Sequence, residues 1–238
     1  MQAVQARTAQ AQPRPPSLDA RSRAAPLRNV TQISYGTSHR DLSRIASPDL
    51  EQVQVHRPVP AGLQKWLSTL PNLQQLGAHF VTTSHAALPC FEQLFADARI
   101  APCALSRFLI EDMTSLVMHF AAISGSRSVD VRLEIITDNA CTRFHRDFVD
   151  LRLLTTYLGP GTQWIDHEHA ANALALQHDY VGPIDEFPFG TIAIFKGGKS
   201  MPCRGLVHRS PKIAGTGAKR LLFCLNVPSS TSPAPRLS

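Results

Sequence analysis

Phe144-His145-Arg146-Asp147-Phe148 sets the architecture expected of the second half of the chain. Side chains alternate across a β-strand, so His145 and Asp147 share one face and Phe144 and Phe148 the other. A neutral imidazole and a carboxylate then project together from a strand backed by aromatic rings, as a metal site in the mouth of a β-barrel requires. A His-x-Asp tripeptide alone is common. A second histidine, His208, follows in Val207-His208-Arg209-Ser210-Pro211, 63 residues after His145. Two histidines and one carboxylate occupy one side of a metal and leave its other positions open.

The flanking sequence supports a β-rich domain. Val129, Val131, Leu133 and Ile135 alternate with Asp130, Arg132, Glu134 and Ile136, the pattern of a strand. The segment from Phe144 to Leu158 reads as extended with a turn near Asp150. Thr191 to Lys196 is a short apolar strand closed by Gly197-Gly198, and Lys219 to Val227 is another. Short strands between Gly and Pro turns predict a sandwich or small barrel. No internal repeat is visible.

Upstream the period is helical. Leu63, Trp66, Leu67 and Leu70 are spaced for a helix ending before Pro71, and a second helix is expected over Leu73 to Phe80. Phe91, Leu94 and Phe95 begin another after Pro89. The clearest helix covers Pro102 to Ile123, with Leu105, Phe108, Leu109, Leu116, Val117 and Phe120 on one stripe and Gly125 as its stop. His119 lies beside that stripe and reads as structural. Residues 34–60 read as irregular. The expectation is an α+β protein: a disordered basic leader over 1–28, a mainly helical buttress over 29–125, and a metal-binding β core over 126–238.

The chain has 238 residues and a formal charge of +6. Five arginines against one aspartate place +4 of that in the first thirty residues, leaving +2 for the rest. A basic tail can hold phosphates without specificity, but no folded basic face is indicated, and no specific nucleic-acid partner is expected. No apolar run reaches the roughly 18 residues of a membrane span, so no membrane partner is expected. Five cysteines (Cys90, Cys103, Cys141, Cys203 and Cys224) are odd in number and without a CxxC pair. They fit a reducing, cytoplasmic setting better than a disulfide framework. The N-terminus lacks the apolar segment of a secretory signal.

In order, the strand, the His-x-Asp, a long insert, GTIAIFKGG (190–198), VHRSP (207–211) and KRLLFCLN (219–226) resemble the core of Fe(II)/2-oxoglutarate dioxygenases of the prolyl-hydroxylase and phytanoyl-hydroxylase kind. The resemblance covers residues 129–227. It implies a double-stranded β-helix, a jelly-roll or cupin-like barrel, against which the helical half packs. It implies that His145, Asp147 and His208 ligate Fe(II) as the catalytic set, and that Arg220 grips the distal carboxylate of 2-oxoglutarate with a bidentate guanidinium. Arg152 and Tyr157 are further candidate contacts to 2-oxoglutarate. The substrate, a small molecule or a protein, is not specified. Over most of its length the chain also resembles a proteobacterial family of unknown function, through FHRDFVDLRLLTTYLGPGTQW (144–164) and HRSP (208–211). Its members are often encoded beside zinc-homeostasis GTPases, which implies a link to zinc limitation.

Rival readings use neighbouring residues. Cys141, His145, Cys203 and His208 could form a closed Cys2His2 zinc site in a non-catalytic, zinc-handling protein, with Asp147 as an outer acceptor. His167-Glu168-His169 and His178-Asp179 form a polar cluster expected in a loop after Trp164. Gly159-Pro160-Gly161 lacks the GK[ST] ending of a phosphate loop and reads as a rigid turn aiming Thr162 and Trp164. Arg209 should point away from His208 into an ion pair, and Ser210 has no positioned base. A Cys nucleophile at Cys141 or Cys203 lacks an orienting third group. A third class, nucleic-acid association through the Arg-rich tail, rests on residues 1–28 alone.

Overall fold

The computed structural model describes residues 31–234, so the basic leader and any role of it in nucleic-acid binding lie outside the described residues. Segment 34–60, expected to be irregular, carries β1 (Ile33–Gly36) and β2 (Gln52–Val55), separated by a 3-10 helix over His39–Ala46. Next come α1 (Leu63–Thr69), a short 3-10 turn over Leu73–Leu76, and β3 (Ala78–Thr82). The helices α2 (Ala87–Asp97) and α3 (Ala104–Ser124) follow. The second half holds β4 (Val129–Ile136), β5 (His145–Arg146), β6 (Leu151–Leu158) and β7 (Gln163–Ile165). It continues with α4 (His167–Leu176), β8 (Asp185–Glu186), β9 (Ile192–Lys196), β10 (Val207–Arg209) and β11 (Arg220–Asn226).

Seven strands form one sheet in the order β1-β2-β9-β6-β11-β4-β3, and four form a second in the order β5-β10-β7-β8. Only β1 and β2 pair in parallel. The first half is therefore not a helical buttress: β1, β2 and β3 build both edges of the large sheet. The expected helix over Leu73 to Phe80 fails for the same reason. Its first turn is 3-10, Gly77 closes it, and Ala78–Thr82 pairs with β4 as the edge strand. Phe80 and Val81 satisfy either period, and strand pairing decides between them. Asp130 and Val131 stand opposite them on β4.

One face of the large sheet packs on the helices. Leu153 and Tyr157 of β6, Phe223 of β11 and Val131 of β4 join Phe91 of α2 and Leu116, Val117 and Phe120 of α3 in one core. Each such apolar side chain contributes roughly 1.5–3 kcal/mol by leaving water. Gly125, in the left-handed region at φ 66°, closes α3 as its stop signal required. The other face meets the small sheet: Leu154, Ala193 and Phe195 of the large sheet share a second core with Trp164, Phe187 and Leu206. The two sheets thus face one another, and the space between them is where His145, Asp147 and His208 converge. Among the described residues no helix is long and apolar enough to cross a membrane.

The helical face also buries a charged cluster. Asp112 of α3 accepts from Arg57 (2.8 Å) and from the Tyr157 hydroxyl (2.5 Å), and Tyr157 is fully buried. Burial, with the Asp112 charge, raises the Tyr157 phenol well above its ordinary value, so it remains a donor. This corrects the expectation that Tyr157 contacts 2-oxoglutarate: it lies on the helix-facing side of β6, not the side facing the small sheet. The replacement Tyr157→Phe should cost about 1.5–3 kcal/mol of stability by removing a hydrogen bond to a buried charge. Urea denaturation should show this, with any binding of 2-oxoglutarate unchanged; weakened binding would return Tyr157 to the site.

Candidate metal site

The site begins with a register. β5 and β10 pair antiparallel with His145 opposite His208, and β7 places Trp164 opposite His208 on the other side. The two imidazoles lie with centroids 4.5 Å apart and planes tilted by 53°, and Phe195 of the large sheet lies 5.2 Å from the His208 ring. β5 spans only two residues, so Asp147 leaves the strand, yet its carboxylate returns between the rings. Its Oδ1 lies 3.5 Å from His145 Nε2 and its Oδ2 3.0 Å from His208 Nε2. The backbone there is pinned from outside: Gly198 N–H donates to the Asp147 carbonyl at 2.8 Å. Gly197 must be glycine, because a Cβ there would lie 2.4 Å from the Val149 carbonyl oxygen.

One atom from each of His145, Asp147 and His208 falls within 4.8 Å of the other two, and among the described residues this is the one such group of three. The histidines are oriented alike. Nδ1 of His145 lies 2.8 Å from the Arg143 carbonyl, and Nδ1 of His208 lies 3.2 Å from the Leu206 carbonyl. A carbonyl only accepts, so the network assigns the proton to Nδ1 in both rings and leaves the Nε2 lone pairs turned toward the carboxylate. Lone pairs facing lone pairs call for a positive charge among them. When each Nε2 carries a proton as well, the two histidines donate to Asp147 and, with the His208 and Arg152 charges, hold its carboxyl well below the usual carboxylate range against burial, which alone would raise it; a metal would take the place of those protons. The bond to Asp147 raises His145 against the effect of burial. Second partners on the nitrogen away from the metal are the usual means of fixing such ligands.

The alternation argument holds for His145 and Asp147 but not for their backing. Phe144 is buried, edge-on to Tyr180 at 5.6 Å, whereas Phe148 is 82% exposed because the strand has ended by Asp147. Arg209 leaves the face opposite His208, as expected, but into no ion pair among the described residues: it donates to Gln163 Oε1 (2.9 Å) and sits 4.1 Å over the Phe144 ring. Trp164 is a core residue stacked on Phe187.

A pocket of ≈ 190 Å³ opens beside the three groups. Arg152 lines it but is committed: it donates to Asp147 Oδ2 at 2.5 Å and to Asn226 Oδ1 at 2.8 Å. It holds the carboxylate rather than reaching free space. Arg220 is fully buried beside the pocket, donating to the Pro160 carbonyl (2.8 Å) and to the hydroxyls of Ser210 (3.2 Å) and Thr162 (3.1 Å). Both hydroxyls line the pocket. No carboxylate lies within ion-pairing distance of Arg220 among the described residues, and burial lowers its pKa to about 10. Gly161 delivers Thr162, and a Cβ there would lie 1.9 Å from the Phe187 carbonyl oxygen.

The Cys2His2 set is not assembled. Cys141 Sγ is 3.6 Å from His145 Nδ1, but Cys203 is exposed near Arg146, which leaves the face of β5 opposite His145. The His167-Glu168-His169 segment opens a helix rather than a loop, with His169 paired to Glu168 at 3.1 Å. The sequence reading missed Arg132 and Glu134, which line the pocket from β4. Their alternation with Val131 and Leu133 marked a polar face, and only the pairing of β4 with β11 turns that face toward the site.

Solved structures resemble the chain at low identity. A prolyl-4-hydroxylase from Pseudomonas putida is 14% identical, with a TM-score of 0.42 over 84% of this chain and 100% of that one. The dioxygenase for auxin oxidation 1 from Arabidopsis thaliana is 11% identical, with a TM-score of 0.41 over 86% and 98%. The non-heme alpha ketoglutarate dependent carbocyclase SnoK from nogalamycin biosynthesis is 8% identical, with a TM-score of 0.37 over 85% and 96%. No curated protein matches the chain. Residues 36–226 match the family described as "Protein of unknown function (DUF1826)", and the chain belongs to that family.

Proposed function

We propose that this protein is an Fe(II)- and 2-oxoglutarate-dependent oxygenase whose metal is held by His145, Asp147 and His208. The observation that carries the reading is the convergence of two imidazole Nε2 atoms and a carboxylate beside a pocket that also adjoins a buried, unpaired guanidinium. The donor set fits iron: two nitrogens and one oxygen from one side leave positions for a chelating co-substrate and dioxygen. Bound there, iron would supply oxidation of a substrate C–H bond coupled to decarboxylation of the 2-oxoacid. The two facing sheets are read as the two halves of a double-stranded β-helix.

The chain's own groups supply orientation and charge. The Arg143 and Leu206 carbonyls keep both histidines in the Nδ1–H tautomer, and Arg152 fixes the direction of Asp147. Arg220 has five N–H donors and uses three on neutral acceptors, so two remain for an anion. A buried cation whose acidic neighbours, Glu186 and Glu134, act only at longer range is costly, and a carboxylate between Arg220 and the metal ligands would offset that cost. Leu154 and Leu222 provide apolar walls that limit water around such a ligand. The same reading places the protein in a reducing cytoplasm, where its five cysteines remain thiols.

The test is metal content by mass spectrometry after anaerobic purification, followed by addition of 2-oxoglutarate. The wild type should carry near-stoichiometric iron and develop a visible charge-transfer band; His145→Ala should lose both. Arg220→Lys should keep iron but bind 2-oxoglutarate about 10- to 100-fold more weakly, because a lysine cannot reproduce the guanidinium fork. Cys203→Ser should change neither. Zinc retained by the wild type and lost with Cys203→Ser would replace the oxygenase by the zinc-handling protein with its link to zinc limitation.

A further inference from the structure

The co-substrate reading accounts for one end of the pocket, where Arg220, Thr162 and Ser210 meet the metal ligands. It leaves the solvent side, built by Arg132, Glu134, Ala140 and Cys141. Arg132 and Glu134 stand two residues apart on β4, so both point toward the small sheet, about 7 Å from one another along the strand. Cys224 stands opposite Arg132 and Leu222 opposite Glu134 on β11, and both also line the pocket.

These two opposite charges do not pair with one another. Arg132 is attracted from behind: its Nε lies 3.5 Å from Asp130 Oδ1, an ion pair without a hydrogen bond. Asp130 is itself buried and fixed by His79 Nε2 at 3.0 Å and by the Ser232 hydroxyl. The terminal guanidinium nitrogens of Arg132 have no hydrogen-bond or ion-pair partner among the described residues. Glu134 is exposed and likewise has no direct partner among them, its charge acting only at longer range on Arg220 and Cys224. The wall therefore presents a held cation and a free anion side by side, next to the metal ligands. The pocket itself admits a small molecule rather than a folded chain.

We propose that the prime substrate is a small zwitterion of the α-amino-acid type, its carboxylate held by Arg132 and its ammonium by Glu134, so that its carbon chain extends toward the metal. This rests on the oxygenase reading of the same site. Each charge-assisted contact should account for about tenfold or more in affinity. Selection of a zwitterion over its singly charged analogues then follows from leaving Arg132 or Glu134 without its partner.

The experiment uses the full chain loaded with Mn(II), which does not react, and saturated with 2-oxoglutarate. The standard L-amino acids are titrated in by calorimetry. Any amino acid that binds is compared with its decarboxylated amine and its deaminated acid. Expected is a bound amino acid whose affinity falls about tenfold or more when either charged group is removed, and likewise with R132Q or E134Q, at unchanged Mn(II) content. The Glu134 side chain has no direct partner among the described residues and acts on Arg220 only at longer range, so with 2-oxoglutarate held at saturation E134Q keeps the test open even where R132Q disturbs Asp130. No binding of any amino acid by protein that holds Mn(II) and 2-oxoglutarate overturns the substrate class alone. Binding indifferent to both variants does the same. Failure of the wild type to take up Mn(II) and 2-oxoglutarate overturns the oxygenase reading, and this proposal with it.

Discussion

Asp147 is gripped from both sheets at once. The small sheet brings His145 and His208 to its two oxygens, and the large sheet sends Arg152 across the gap to donate at 2.5 Å. Without a cation between the sheets, a carboxylate at 13% exposure facing two imidazole lone pairs would be a strongly unfavourable arrangement. With Arg152 and a bound metal the same groups become mutually satisfying. That tether ties the two sheets together at the point where the pocket opens.

The close fit of the surrounding backbone serves the same tether. Gly197 and Gly198 lie directly on the chain around Asp147, and Arg146, on the far face of β5, donates to the Gly205 carbonyl at 2.9 Å. The loop between β9 and β10 is thereby fastened to the strand that carries the first histidine, just before it delivers the second. A short β5 of two residues would not hold register by its own ladder. Glycine packing and the Arg146 bond supply the rest. On the helical side, the Arg57–Asp112–Tyr157 cluster joins α3 to β6, the strand that carries Arg152. Two faces of one strand are thus held by two unrelated sets of polar contacts.

The charges around the pocket divide by depth. Arg220 is buried among neutral acceptors, Arg152 is spent on Asp147, and Arg132 is held at one end with its other end free. Three arginines on adjacent strands of one sheet therefore carry three different electrostatic tasks. The difference is set by which neighbour already satisfies each guanidinium, not by residue type.

Much of this was legible in the chain itself. The His-x-Asp, the second histidine after an apolar strand and the Arg220 strand follow from period-two alternation and from turn residues, which act over a few residues and need no tertiary contact. So do α1, α2 and α3, whose apolar spacing survives in the fold. Other features depend on partners far away in the chain. β1, β2 and β3 are short, and only pairing, of β1 with β2, β2 with β9 and β3 with β4, makes strands of them. Tyr157 and Arg152 differ by five positions, so alternation already separates them, but only the packing of α3 shows that Tyr157 belongs to the helical face. Cys203 drops out of the site because it lies by Arg146, which leaves the wrong face of β5. Which groups could bind a metal can be read along the chain, since that is a matter of residue chemistry and local spacing. The tertiary structure decided which of them meet and which charges remain free beside them, because both depend on register and on competition among neighbours that no local pattern encodes.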